Sequence, residues 1–171
     1  TTGGTTGKPM QTFYDSGSYA REWAYKIFFW NWALGYRPSD KKATFRGVSF
    51  RNSVYNENPI YNEIRFSPFH LDTDDVKLIV DKLFRYRPSY IHGYPSALEL
   101  LAKYCLQTGI SLGGIKGAIL ISENILPQQE EIIRHAFGCD VYSFYGHSER
   151  LIFASQGPDL NSYYAHPGYG V

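Results

Sequence analysis
Hydrophobic and polar positions change period several times along this chain. From Tyr19 to Leu34, "YAREWAYKIFFWNWAL", apolar residues recur at helical spacing. Asp15-Ser16 supplies an N-cap, and Gly35 and Pro38 supply the stop. "KKATFRGVSF" (41–50) and "NEIRFSPFHL" (62–71) read as strands, separated by an Asn-rich turn around "NENP". "DTDDVKLIVDKLFRYR" (72–87) then returns to helical period, acidic in its first turn and basic in its last, with Pro88 beyond it.

The rest alternates. "SYIHG" (89–93) is a strand, "PSALELLAKYCLQTG" (95–109) a helix, "IKGAILI" (115–121) a strand, "LPQQEEIIRHAFG" (126–138) a helix and "DVYSFYG" (140–146) a strand. Strands and helices in alternation, joined by short connections, predict βαβ units: an α/β fold with a mostly parallel sheet flanked by helices. In such sheets ligands sit at the carboxyl ends of the strands. Three loops there carry polar groups: Gly93-Tyr94-Pro95-Ser96, Ser122-Glu123-Asn124, and Tyr145-Gly146-His147-Ser148-Glu149-Arg150.

Bulk properties narrow the classes. The 171 residues are 43% hydrophobic and 19% charged with a formal net charge of +1, an ordinary globular composition for one domain or part of one. The scattered basic residues leave no footprint for nucleic acid or an anionic membrane. "WAYKIFFWNWALGY" is too short for a membrane span and contains Lys26, and no signal peptide opens the sequence. Two cysteines, Cys105 and Cys139, are too few for a disulfide framework and point to a reducing cytoplasmic setting. With the histidines they match no zinc spacing. Fifteen tyrosines suit amphipathic surfaces that meet a planar ligand or another domain, or half-buried sheet edges.

Two stretches carry chemistry. "TTGGTTGKP" (1–9) lacks the P-loop pattern, because Thr2 stands where the first glycine belongs and Pro9 where the magnesium-ligating hydroxyl belongs; no G-x-G-x-x-G occurs either. What remains is Gly4 and Gly7 around the hydroxyls of Thr5 and Thr6, with Lys8 behind, a set suited to polyphosphate. The plain alternative is a terminal tail. In "YGHSER" (145–150), Tyr145 offers a ring to stack on a base, Ser148 a hydroxyl for phosphate and Glu149 a carboxylate for magnesium. The plain alternative there is a solvated turn.

The two stretches, in this order, resemble the adenylate-forming superfamily of acyl-coenzyme A synthetases, whose motifs read roughly Ser-Ser-Gly-Thr-Thr-Gly-Lys-Pro and Tyr-Gly-x-Ser/Thr-Glu. Gly3 departs from the first, where a hydroxyl is usual. "RFSPFHLDTDDV", "YIHGYPSALELLA", "LPQQEEIIRHAFGCDVYSFYGHSER" and the final "HPGYG" look most like the phenylacetate–coenzyme A ligase and CapK-type branch. The resemblance implies that residues 1–171 are an internal fragment of the large N-terminal domain. Preceding strands, the ribose-binding aspartate and the small C-terminal lysine-bearing domain would lie elsewhere in a longer enzyme, and the fragment alone would be inactive.

It further implies a reaction: a carboxylate joins ATP to form an acyl-adenylate, and the acyl group passes to coenzyme A or another acceptor. Thr5, Thr6 and Lys8 would close over the β- and γ-phosphates, Gly4 and Gly7 shaping their loop. Ser148 would lie near the α-phosphate and Glu149 would hold Mg2+. Ser122, Glu123, Asn124, Tyr145 and Gly146 would line the adenine, and Gly93 and Tyr94 would border the acyl pocket. His70 and His147 are either substrate-binding or structural hydrogen-bonders, and His92 and His166 read as strand-end hydrogen-bonders. Implied partners are a small-molecule carboxylate, the enzyme's own C-terminal domain and, by analogy alone, capsule-assembly proteins. The competing function is a nucleotide-binding or scaffold module in polysaccharide assembly that has lost its chemistry.

Overall fold
The computed structural model describes residues 13–47, 50, 53–69, 71–146, 150–157 and 162–169. Its centre is an eight-stranded sheet in the order β2-β3-β1-β4-β5-β6-β7-β8. The strands are β1 (Lys42–Phe45), β2 (Tyr55–Asn58), β3 (Glu63–Phe66), β4 (Tyr90–Gly93), β5 (Gly117–Leu120), β6 (Asp140–Gly146), β7 (Phe153–Gln156) and β8 (Tyr163–Ala165). β3, β1, β4, β5 and β6 run parallel. β2 at one edge and β7 and β8 at the other are antiparallel additions.

Helix α1 (Ser18–Leu34) ends on Gly35, whose φ of 70° is the left-handed conformation that glycine adopts without strain. Its N-cap is Gly17 and not Asp15-Ser16. The Asp15 carboxylate instead accepts from the Gly17 N–H at 2.9 Å, holding the turn before the helix. α2 (Thr73–Tyr86) starts as the sequence predicts, with Asp72 Oδ1 accepting from the Asp75 N–H at 2.9 Å. It buries Val76, Ile79, Val80 and Leu83, an i, i+3, i+4, i+7 stripe. α3 (Pro95–Thr108) and α4 (Pro127–Phe137) each carry Pro at the first position, where the missing N–H costs nothing, and glycine just past the end. The expected Asn-rich turn is instead strand β2 followed by a short 3-10 turn, Pro59–Tyr61. Residues 153–156 and 163–165, to which the sequence pattern assigns no element, form β7 and β8.

Register divides the sheet into two unlike faces, because alternate residues of a strand point opposite ways. Ile64, Ala43, Ile91, Ala118 and Val141 align in one row and Phe66, Phe45, Gly93 and Leu120 in the next-but-one, and these meet α2, α3 and α4 in a continuous apolar core. The alternate rows hold Glu63, Lys42 and Tyr90, then Arg65, Thr44, His92, Ile119 and Tyr142. That second face is polar and lies beneath α1, whose Trp30 packs with Tyr36, Tyr90, Ile119 and Tyr142. Tyr90 O–H donates to the Leu34 carbonyl at 2.9 Å, and a Cβ on Gly117 would stand 2.8 Å from the Leu34 side chain, so the end of α1 lies directly on the strands.

Candidate functional site
The carboxyl rim of the parallel strands is tied together across three loops. Tyr94 N–H donates to the Phe45 carbonyl at 3.1 Å and Ile121 N–H to the Gly93 carbonyl at 3.0 Å, so the ends of β1, β4 and β5 are stitched in series. Gly93 is required there, because a Cβ would stand 2.5 Å from the Phe45 carbonyl oxygen. Ser122 turns the chain with φ 66°, an uncommon conformation for a residue other than glycine. The carboxylate of Glu123, next in line, accepts from Ser96 N–H at 3.0 Å and from Ser96 O–H at 2.9 Å.

Tyr94, the N-cap of α3, makes no side-chain cap bond, so Glu123 caps that helix from a neighbouring loop, anion against the positive helix end. Asn124 is exposed beside it. At the end of β6, Tyr145 is 55% exposed, a ring free to be covered by a planar group, and Gly146 is exposed with it. The rim thus brings together Gly93, Tyr94, Ser122, Glu123 and Asn124, with Tyr145 and Gly146 at the end of the adjacent strand. Gly4, Thr5, Thr6, Gly7, Lys8, His70, His147, Ser148 and Glu149 lie outside the described residues.

Arg150, immediately after the second motif, links it to the start of α1. Its Nε donates to Glu22 Oε2 at 2.9 Å, and its guanidinium lies 4.5 Å from the Tyr14 ring and 5.2 Å from that of Tyr19. Tyr14 and Tyr19 follow the opening loop in sequence. Residues flanking two motifs more than a hundred positions apart are therefore neighbours. The sequence alone assigns Arg150 no role. The signal available was a cation directly beside a candidate metal-ligating carboxylate.

Beneath α1 the polar face is dense in buried charge. Lys26 forms an ion pair with Glu22 and lies 5.3 Å from the Phe144 ring. Lys42 faces Glu63 at 3.4 Å and lies 5.5 to 5.6 Å from the rings of Trp23, Trp30 and Tyr36. Burial pulls both ammonium groups below the usual lysine range, against the pull of their carboxylates. His92 is not the strand-end hydrogen-bonder the sequence suggests: neither ring nitrogen has a partner, and the ring packs 5.0 Å from Trp30. Burial first, then Arg46, Lys42 and Lys26, hold its pKa well below the ordinary histidine value. His166 does bond, its Nε2 lying 2.8 Å from Ser155 Oγ. Among the described residues no group of three His, Cys, Asp or Glu side chains is placed to hold a metal, and no helix is long and apolar enough to cross a membrane.

No family model matches the chain. Among curated proteins it is 26% identical over 165 residues to the protein CapK of Staphylococcus aureus, a match covering 92% of this chain and 36% of CapK. Among solved structures, 2-hydroxyisobutyryl-CoA ligase in complex with 2-HIB-AMP and CoA aligns with a TM-score of 0.56 at 18% identity, over 79% of this chain and 30% of that one. VinN in complex with L-aspartate aligns with a TM-score of 0.51 at 17% identity, over 70% and 30%. An acyl-CoA synthetase of Brucella canis aligns with a TM-score of 0.50 at 15% identity, over 76% and 24%. The chain spans between about a quarter and a third of the length of these proteins. The sequence is similar to CapK along most of this chain, and the sheet with its helices has the fold of the aligned part of 2-hydroxyisobutyryl-CoA ligase and of the Brucella canis acyl-CoA synthetase.

Proposed function
We propose that the complete protein activates a carboxylic acid with ATP as an acyl-adenylate and passes the acyl group to coenzyme A or another acceptor, in the manner of phenylacetate–coenzyme A ligases, in the cytoplasm. The observation that carries this reading is the Arg150 bridge to Glu22, Tyr14 and Tyr19, which draws together the flanks of the two motifs that must share one nucleotide. A decayed module has no reason to keep both motifs and the contact between their flanks.

In the proposed reaction a carboxylate oxygen attacks the α-phosphorus, the bond to the β-phosphate breaks and pyrophosphate leaves. An acceptor thiolate then attacks the acyl carbon and AMP leaves. Negative charge grows on the phosphates in the first step, so donors held in place around them lower its barrier. Thr5, Thr6 and Lys8 supply two hydroxyls and an ammonium to the β- and γ-phosphates, and Ser148 a hydroxyl near the α-phosphate. Glu149 has the hard oxygen donor that suits Mg2+, which when bound neutralises phosphate charge. Tyr145 stacks on adenine, with Gly146, Ser122 and Asn124 beside it. Glu123 acts on that wall by anchoring its loop to α3. Gly93 and Tyr94 border the acyl group, with His70 and His147 as hydrogen-bonding partners for it.

The test is carboxylate-dependent exchange of pyrophosphate into ATP by the complete protein, across aryl, fatty and amino acids, with Glu149→Gln as control. The expected result is exchange with one class of acid, reduced at least about a hundredfold in the control. Mg-ATP binding without exchange for any acid would favour the scaffold reading instead.

A further inference from the structure
Away from the rim, at the amino end of β1, a cavity of about 150 Å³ opens between α1 and the loop after it. Trp23, Tyr36 and Tyr61 supply rings to its wall, Ile27 and Pro38 supply aliphatic surface, and Lys42 supplies the charge. Lys42 begins β1 and Phe45 ends it, so the cavity lies roughly 10 Å along the strand from the rim.

The ammonium of Lys42, in a residue only 2% exposed, faces the carboxylate of Glu63. It has three N–H donors. Its ion-pair partner, Glu63 Oε1, stands 3.4 Å away, beyond the ~2.7–2.9 Å of a charge-assisted hydrogen bond. That same oxygen is held at 2.6 Å by the Thr44 hydroxyl. Rings of Trp23, Trp30 and Tyr36 surround the rest of the ammonium at 5.5 to 5.6 Å. Arg46 adds a further positive field at Lys42, and Lys26 shares the Trp23 ring with it.

We infer that this cavity is a second ligand site, separate from the nucleotide rim, that takes a compact monocarboxylate of about the size of benzoate, ring or branched chain among the aromatic walls and carboxylate on Lys42. An apolar cavity of ~150 Å³ accommodates a benzene ring. The ligand carboxylate supplies a second anionic acceptor, beside Glu63, for the three donors of Lys42. A cationic ligand is disfavoured by Lys42, and a larger acid by the volume.

Benzoate titration of the complete protein, followed by tryptophan fluorescence, tests this, because Trp23 lines the cavity and Trp30 lies against Lys42. The expected result is a saturable change with benzoate, about tenfold weaker with benzyl alcohol, which matches the ring without the charge. Lys42→Met should weaken benzoate at least about tenfold and narrow its margin over the alcohol. Tyr61→Ala, at the 52% exposed mouth, should weaken both ligands and leave the fold intact, which keeps the test decisive if Lys42→Met fails to fold. No saturable change with benzoate overturns the inference. So does a change that both substitutions leave untouched, since that response comes from an acid bound at the rim.

Discussion
A methyl group at Gly93 would meet the Phe45 carbonyl oxygen at 2.5 Å and the Phe45 Cβ at 2.7 Å, both backbone-anchored atoms with no room to retreat. Gly93→Ala is therefore expected to cost about 1–3 kcal/mol through forced separation of β1 and β4, read as a lower urea midpoint at unchanged slope. His92, one residue earlier, poses an electrostatic problem rather than a steric one. Folded, it stays neutral well below 6.5, whereas the unfolded imidazole takes up a proton near that value. The unfolded state then binds more protons, so stability falls as pH drops below about 6.5. His92→Leu removes two unpartnered nitrogens, and urea midpoints at neutral and mildly acidic pH should show a shallower acid loss for it than for the wild type.

Among the elements, α3 takes its N-terminal cap from outside itself. Glu123→Ala leaves the Ser96 N–H and hydroxyl without that acceptor, and about 0.5–1 kcal/mol should go from thermal stability. On the proposed function the same change raises KM for ATP, because Ser122 and Asn124 lose their anchor. Arg150 acts between elements: its Glu22 pair and its two tyrosine contacts hold it against α1 and the residues just before that helix. Arg150→Met keeps much of the side-chain bulk and loses the charge. Nucleotide binding measured by calorimetry should weaken, with a far-UV spectrum like that of the wild type.

For the whole molecule, the sheet's unequal faces set where it opens. β4 and β5 are paired on both sides and sealed by α2, α3 and α4, while β2 and β8 are edges with largely exposed side chains. Hydrogen exchange should be slowest in β4 and β5 and fastest in β2 and β8; comparable protection in all four would contradict the two-face description. Much of this architecture was legible in advance. The alternation from Thr73 to Gly146 announced α2 through β6 and a parallel sheet, because buried parallel strands are continuous apolar runs and the helices between them carry their own caps. β2 and β8 were not legible, since short edge strands such as "YNEN" and "YYA" have neither the length nor the apolar alternation that marks a strand, and the four residues "FASQ" of β7, paired on both sides, are too short and mixed to show one.

At the site, residue types in local order were enough to nominate the rim loops and the two motifs, because turn chemistry and strand ends are local properties. Which of those groups meet was decided by the tertiary structure alone. Glu123 spans to Ser96 across two loops, Arg150 to Glu22 across most of the chain, and Lys42 and Thr44 of β1 share the Glu63 carboxylate of β3. Periodicity and capping arise between residues a few positions apart and so are written in the sequence. Charge pairing, cavities and unsatisfied donors depend on strand register and helix placement, which bring distant residues within a few ångströms and exist only once the chain has folded.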